Sequence, residues 1–81
     1  MQLKIITPEE SLFEGEIDLI QVPGKKGAFE VLHNHAPIIS TLTKGKVKVH
    51  PTNGEEKFFD IPGGVIQVKN NDIIVLTEMS I

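Results

Sequence analysis

The sequence predicts an all-β fold, a two-sheet β-sandwich built from short strands. Seven Gly and five Pro punctuate the 81 residues, which leaves little room for a helix of average length, about 11 residues. Eleven Ile and seven Val stand against two Ala, and β-branched side chains pack well on a pleated surface. Apolar runs recur at a spacing of about 8–12 residues, which is typical of a sandwich or a small barrel.

Turn residues bound the predicted strands. In chain order the strands cover residues 2–7, 11–13, 16–22, 28–32, 38–42, 46–50, 55–61, 65–69 and 72–78. Pro8 ends the first strand because proline cannot donate a ladder hydrogen bond. Gly15 is expected to separate the second strand from the third. No repeat, linker or low-complexity stretch interrupts the pattern, so we expect residues 1–81 to form one domain.

The second half of the chain contains the clearest strand and hairpin patterns. Residues 46–50 alternate strictly, which directs Val47 and Val49 to the core and the lysines to water. The segment 51–54 is the strongest hairpin signal because Asn-Gly accepts a positive φ. Asn70-Asn71 is expected to turn the last pair of strands.

Several strands break the apolar and polar alternation expected of a sandwich in water. Adjacent residues of a strand point to opposite faces, so each pair of apolar neighbours sends one side chain away from the core. Bulges and scattered surface side chains explain this in one way, and an outer apolar patch covered by a partner protein explains it in another. The patch hypothesis draws on Ile5, Ile38, Ile39, Phe58 and the strand from Ile73 to Leu76.

The composition argues against several classes of partner. The net charge is −3, and the chain contains no Arg, Trp or Tyr, whereas nucleic-acid binders use a basic excess and stacking aromatics. We therefore expect no nucleic-acid partner. The chain has no Cys, which removes disulfides, thiolate metal sites and cysteine nucleophiles. The longest apolar run, residues 73–76, is far shorter than the roughly 20 residues of a membrane-spanning helix.

Two short motifs suggest chemistry, and neither is complete. His33-Asn34-His35 supplies half of a zinc site, and a third ligand would have to be His50 or a carboxylate. Loop histidines that serve a turn are the commoner case. The segment 23–27 is glycine-rich and basic, but it lacks the Gly-Lys-Ser/Thr ending and the helix that follow in a phosphate-binding loop. The residues favour a binding or scaffolding domain without a metal, a cofactor or catalytic residues.

The segment 22–37 reads V-P-G-x-x-G-x-x-x-x-L-x-x-H-A-P. This block resembles the epsilon subunit of F-type ATP synthase, in its N-terminal β-sandwich domain. The likeness continues through Leu3–Gly15, Gly45, Gly63-Gly64 with Val68, and Ile74–Thr77. It covers nearly the whole chain in order.

The resemblance implies a sandwich of about ten strands in the central stalk, between the rotating gamma subunit and the ring of c subunits. It implies a noncatalytic subunit in ATP synthesis and hydrogen ion transport, peripheral on the cytoplasmic face of the bacterial cell membrane and associated with it only through the complex. The implied gamma contacts are Thr7, His35, Ala36, Pro37, Ile38, Ile39 and Ser40. The implied c-ring contacts are Pro23, Gly24, Lys25, Lys26, Gly27 and Ala28. Many relatives have acidic residues where this chain has Lys25 and Lys26.

Relatives usually continue into a C-terminal helical hairpin that restrains ATP hydrolysis, whereas this sequence ends at Ile81. We therefore expect no C-terminal helical hairpin, no such restraint and no ATP binding. One alternative is a free-standing β-sandwich that binds a carbohydrate or another small ligand, although such modules usually present Trp or Tyr platforms. A second alternative is a small metal-dependent enzyme that uses His33, His35 and His50.

Overall fold

The structure, a computed structural model, describes residues 1–78 and contains only strands, turns and loops over that range. Its strands are β1 (Gln2–Ile6), β2 (Ser11–Val22), β3 (Phe29–Val31), β4 (Ile38–Leu42), β5 (Gly45–Pro51), β6 (Lys57–Ile61), β7 (Gly64–Lys69) and β8 (Asp72–Thr77). The predicted all-β fold is confirmed. Apart from the second and third, every predicted strand is present with its ends within two residues of the expected positions.

The strands form two sheets that share β2. Sheet A has the order β4-β7-β8-β1-β2, and sheet B has the order β3-β2-β5-β6. The first half of β2 pairs with β1 in sheet A, and its second half pairs with β3 and β5 in sheet B. Strands β1 and β8 are parallel, and the other pairs are antiparallel. This arrangement is the two-sheet sandwich that the sequence predicts.

The break predicted at Gly15 does not occur. Gly15 continues β2 and pairs with Leu3, so the strands expected over 11–13 and 16–22 are one strand of 12 residues. Pairing along β2 outweighs the weak strand preference of a single glycine. The irregularity lies further on, where a register shift between Ile17 and Leu19 bends β2 from one sheet into the other. Residues 1–78 therefore contain eight strands rather than about ten.

The two Asn-containing hairpins turn in different ways. Asn70 and Asn71 have φ values of +51° and +62°. They link Lys69 directly to its partner Asp72, as in a two-residue type I′ turn, so this turn is confirmed. The β5–β6 hairpin is also confirmed. The predicted reason for this hairpin, a positive φ at Asn-Gly, is wrong. A five-residue connection reverses the chain without a positive φ at Asn53 or Gly54.

The hydrophobic core lies between the sheets, where alternate residues of each strand meet. Its fully buried members are Leu3, Ile5, Ile17, Ile20, Val22, Val31, Val47, Val49, Ile61, Ile66, Val68, Ile73 and Val75. The inward orientation predicted for Val47 and Val49 is confirmed. Phe13 of sheet A meets Phe59 of sheet B edge to face, with ring centroids 6.2 Å apart. Burial of these facing side chains is the main force that holds the sheets together.

We predict that Gly64→Ala lowers the free energy of unfolding by about 2–3 kcal/mol, because residue 64 requires a backbone that only glycine adopts without strain. Gly64 has φ +155°, and a Cβ there would collide with the carbonyl oxygen of Leu76 on the neighbouring strand. Urea denaturation of the variant and the parent chain measures the difference. The matched control is Gly54→Ala, whose Cβ would lie 3.7 Å from Pro51 Cβ. It should change stability by less than about 0.5 kcal/mol; equal losses in both variants would contradict the explanation.

Candidate functional site

The outer face of sheet A carries a cluster of apolar side chains. They are Ile6, Ile39, Val65, Ile74 and Leu76, called the apolar face below. Leu76 lies between Val65 and Ile6 in one row across the strands. Ile39 and Ile74 flank Gln67 in the next row. Ile39 is 76% exposed and Leu76 is 52% exposed, so this face is more apolar than is usual for a sheet face in contact with water.

The apolar face differs in membership from the predicted patch. The prediction is right for Ile39 and Leu76, which are exposed, and for Ile74, which is half-buried on the outer side. The prediction is wrong for Ile5, Ile73 and Val75, because their position in the alternation directs them into the core. Phe58 is exposed, but it lies on sheet B. Ile38 is half-buried and shares its row with the buried Val68.

Two members, Ile6 and Val65, were not singled out from the sequence. Each belongs to a pair of apolar neighbours, Ile5-Ile6 and Val65-Ile66, of which one member must face outward. The sequence therefore contains the signal. Choosing the outward member requires the strand register, which the pairing of β7 with β8 and of β8 with β1 supplies.

Thr7 lies buried at the end of β1, where it fixes the turn into β2. Its Oγ1 accepts hydrogen bonds from the N–H groups of Glu10 at 3.0 Å and Glu9 at 3.3 Å. The same hydroxyl donates to the Glu10 carbonyl oxygen at 3.0 Å, and the Thr7 N–H donates to that oxygen at 2.8 Å. Only 4% of Thr7 is exposed, so its side chain shapes the turn and offers little accessible surface.

The segment His35–Pro37 lies at the opposite end of sheet A and is tied to the β7–β8 turn. Asn34 and Asn71 both have positive φ, +64° and +62°. The Asn34 N–H donates to Asn71 Oδ1 at 2.7 Å, and Asn71 Nδ2 donates to Asn34 Oδ1 at 3.1 Å. The His35 ring Nδ1 donates to the Ala36 carbonyl oxygen at 2.7 Å. His35 therefore serves the turn, and Ala36 and Pro37 are exposed beside it.

Strand β4 follows this segment and contributes to both faces of sheet A. Ile39 is the most exposed of its residues and belongs to the apolar face. Ser40 points the other way, in a row with the buried Ile66, and is half-buried. Of the gamma contacts implied by the resemblance, Ile39, Ala36 and Pro37 thus present accessible side chains, whereas Thr7 does not.

The loop over residues 23–28, called the lysine loop below, is tied to the end of β4. The Thr43 N–H donates to the Pro23 carbonyl oxygen at 2.8 Å, and the Lys25 N–H donates to the Thr41 carbonyl oxygen at 3.0 Å. Between these bonds Gly24 forms a bridge with Leu42. The loop leads into β3 rather than a helix, so its backbone offers no helix N-terminus to an anion.

The lysine loop requires glycine and exposes positive charge. A Cβ at Gly24 would lie 2.8 Å from the Phe29 ring, which leaves no room for a side chain. Gly27 has φ +127°, and its N–H donates to the Gly24 carbonyl oxygen at 2.9 Å. Lys25 and Lys26 are exposed, and neither forms an ion pair with a carboxylate of residues 1–78.

The histidines do not form a metal centre in the part of the chain that the structure describes. Across residues 1–78, no group of three or more His, Cys, Asp or Glu side chains could hold a metal ion. His50 lies on sheet B, where its Nδ1 is 3.7 Å from Glu56 Oε2. The same 78 residues contain no helix that is long and apolar enough to cross a membrane. The features that stand out are two accessible surfaces, the apolar face and the lysine loop, which suit contacts with proteins.

Two solved structures share the fold. A chain of the mitochondrial ATP synthase of Euglena gracilis, solved with OSCP, F1 and the c-ring, superposes with a TM-score of 0.87 at 21% identity. A chain of the Tetrahymena thermophila mitochondrial ATP synthase, from its central stalk and c-ring, superposes with a TM-score of 0.81 at 17% identity. Each match covers 98% of this chain, but only 51% and 63% of the respective solved chains.

Sequence comparison gives closer relatives. The ATP synthase epsilon chain of Caulobacter vibrioides is 41% identical over 81 residues, which is 100% of this chain and 93% of that one. The ATP synthase epsilon chain of Chlorobaculum tepidum is 42% identical over 76 residues, which is 94% of this chain and 86% of that one. A family model described as the beta-sandwich domain of the ATP synthase delta/epsilon chain matches residues 1–81. Every residue is thus covered, and the chain belongs to the beta-sandwich domain family of ATP synthase delta and epsilon chains.

Proposed function

We propose that this chain is a noncatalytic rotor subunit of a proton-translocating F-type ATP synthase and couples the gamma subunit to the c ring. The observation that carries the proposal is the apolar face on sheet A of a chain from this family. The relatives are ATP synthase epsilon chains, and the two solved structures include a c-ring. In this proposal the chain acts as one domain at the cytoplasmic face of the membrane and is held there by its protein partners.

The apolar face is the proposed docking surface for gamma. Burying a large aliphatic side chain contributes about 1.5–3 kcal/mol, and both Ile39 and Leu76 are more than half exposed. Ile39 also belongs to the stretch His35–Ser40 that the resemblance assigns to the gamma contact. The residue-level resemblance and the exposed apolar surface therefore coincide at Ile39, which supports this side of the sandwich as the contact.

The lysine loop is the proposed contact with the c ring. Its two ammonium groups are exposed, and no carboxylate of residues 1–78 neutralises them. Charged groups on an interface rim mainly steer association and fix register. A basic loop suits c-ring loops that carry carboxylates. This charge pattern is the opposite of the one expected in relatives that have acidic residues at the positions of Lys25 and Lys26.

The proposed contacts are mechanically connected through β4. The lysine loop bonds to Thr41 and Thr43, and Ile39 of the apolar face lies two residues before Thr41 on the same strand. Close-packed protein interiors have low compressibility and transmit strain. A load applied at the loop therefore reaches the apolar face through a short, hydrogen-bonded path, which is what a coupling subunit requires.

We predict that Leu76→Lys weakens binding to gamma by roughly tenfold or more, because it removes burial worth about 1.5–3 kcal/mol and places a charge in an apolar contact. Calorimetric titration of gamma with the variant and the parent chain measures the change. Phe58→Lys is the matched control, since Phe58 is 57% exposed on the outer side of sheet B. Its affinity for gamma should equal that of the parent chain. Unaltered binding by Leu76→Lys would refute the assignment of the apolar face.

We predict that the double variant Lys25→Glu, Lys26→Glu pumps fewer protons per ATP hydrolysed in the reconstituted complex. Its stability should change by less than about 0.5 kcal/mol, because exposed loop charges contribute little to folding. The control variant Lys48→Glu, Lys57→Glu makes the same charge change on sheet B and should pump normally. If both double variants lose pumping to the same extent, net charge rather than the lysine loop governs coupling. If both pump normally, the lysine loop is not the contact.

A further inference from the structure

Strand β4 is an edge of sheet A, and only half of that edge is covered. On one side all five of its residues pair with β7. On the other side the lysine loop bonds to Thr41 and Thr43 at the end of the strand. Within residues 1–78, no strand pairs with the outer side of Ile38–Ser40. Long open edges invite pairing with another chain, and natural proteins usually keep them short or covered.

At this open half, the N–H and C=O groups of Ile39 lie in the plane of the sheet and point away from β7, toward the open edge. In an antiparallel sheet, successive residues direct their N–H and C=O groups alternately to one neighbouring strand and to the other. Thr41 directs its carbonyl to the lysine loop, away from β7. Ile39 lies two residues earlier, so its N–H and C=O groups also point away from β7. The N–H of Thr41 points in the same direction as the Thr41 carbonyl. Among residues 1–78, neither of these two N–H groups has a backbone acceptor outside the strand pairings.

A groove of about 550 Å³ lies beside the open half of β4. The lysine loop and Phe29 form one side of it, and residues 39–41 form the other. Phe29 begins β3, which is an edge of sheet B. The groove therefore occupies the corner where the edges of the two sheets approach without pairing, and the Gly24–Leu42 bridge closes it at one end. Hydrogen-bonded strands lie about 4.8 Å apart. An extended chain added to β4 at that spacing would occupy this corner.

We propose that an extended segment of the gamma subunit binds in this groove and adds as a strand to the open half of β4. The inference rests on the proposed function and specifies how gamma docks. The main-chain groups of Ile39 and the N–H of Thr41 set the register, as in other cases of strand addition. The Ile39 side chain, 76% exposed, is covered by the same segment.

Amide hydrogen exchange of the chain, alone and saturated with gamma, tests the proposal. Exchange at Ile39 and Thr41 should slow by roughly tenfold or more on binding, because both amides gain an acceptor in a protected strand. The amide of Gly54, in the β5–β6 connection at the other end of the sandwich, should not change. Unchanged exchange at Ile39 and Thr41 in a formed complex overturns strand addition alone. Failure of gamma to bind at all overturns the proposed function as well.

A pair of variants separates the main chain of residue 39 from its side chain. Ile39→Ala removes most of the side chain and keeps the N–H, whereas Ile39→Pro also removes the N–H. Proline is tolerated at an edge position whose N–H is not used in the sheet. We expect Ile39→Pro to bind gamma roughly fivefold more weakly than Ile39→Ala, the loss expected for one hydrogen bond. Equal affinities of two folded variants contradict the proposal, and if Ile39→Pro does not fold, the exchange measurement decides.

Discussion

The continuity of β2 is the constraint on which the rest of the structure depends. Its first half is a strand of sheet A and its second half is a strand of sheet B, so one backbone fixes the position of one sheet relative to the other. The register shift between Ile17 and Leu19 supplies the bend. Because β2 ends at Val22 beside β4, the lysine loop emerges where it can bond to Thr41 and Thr43. The proximity of the two proposed contacts follows from this crossing.

Once the sheets face each other, the alternation of each strand decides which side chains are buried. Most inward residues of β1, β7 and β8 are aliphatic and fully buried, as Ile5, Ile66 and Val75 show. On a solvated sheet the outward residues would be polar. Sheet A instead directs Ile39, Val65 and Leu76 outward. These side chains add nothing to the core, and the proposed contact with gamma accounts for their apolar character.

The strands were predictable from the sequence because Pro and Gly punctuate them, and the apolar pairs indicated that some side chains face outward. Predictions from local sequence patterns were wrong where pairing between residues distant in the sequence determined the backbone conformation. Gly15 remains in a strand because Leu3 pairs with it, and the loop at Asn53-Gly54 is longer than its dipeptide suggests. The outward member of each apolar pair depends on the register between strands. The open half of β4 depends on hydrogen bonds between segments 16 or more residues apart, such as Lys25 with Thr41.

Strand β4 is fixed at both ends and open in the middle. At its start, the reciprocal bonds between Asn34 and Asn71 hold the preceding loop to the β7–β8 turn. At its end, the lysine loop holds Thr41 and Thr43. A partner strand that adds to Ile39 therefore meets a backbone that is already in the bound conformation. Binding then loses little conformational entropy on this side of the interface, so that even a short segment is able to bind with useful affinity. The same fixation keeps the apolar face and the lysine loop in a constant relative position, so a displacement at one proposed contact is transmitted to the other.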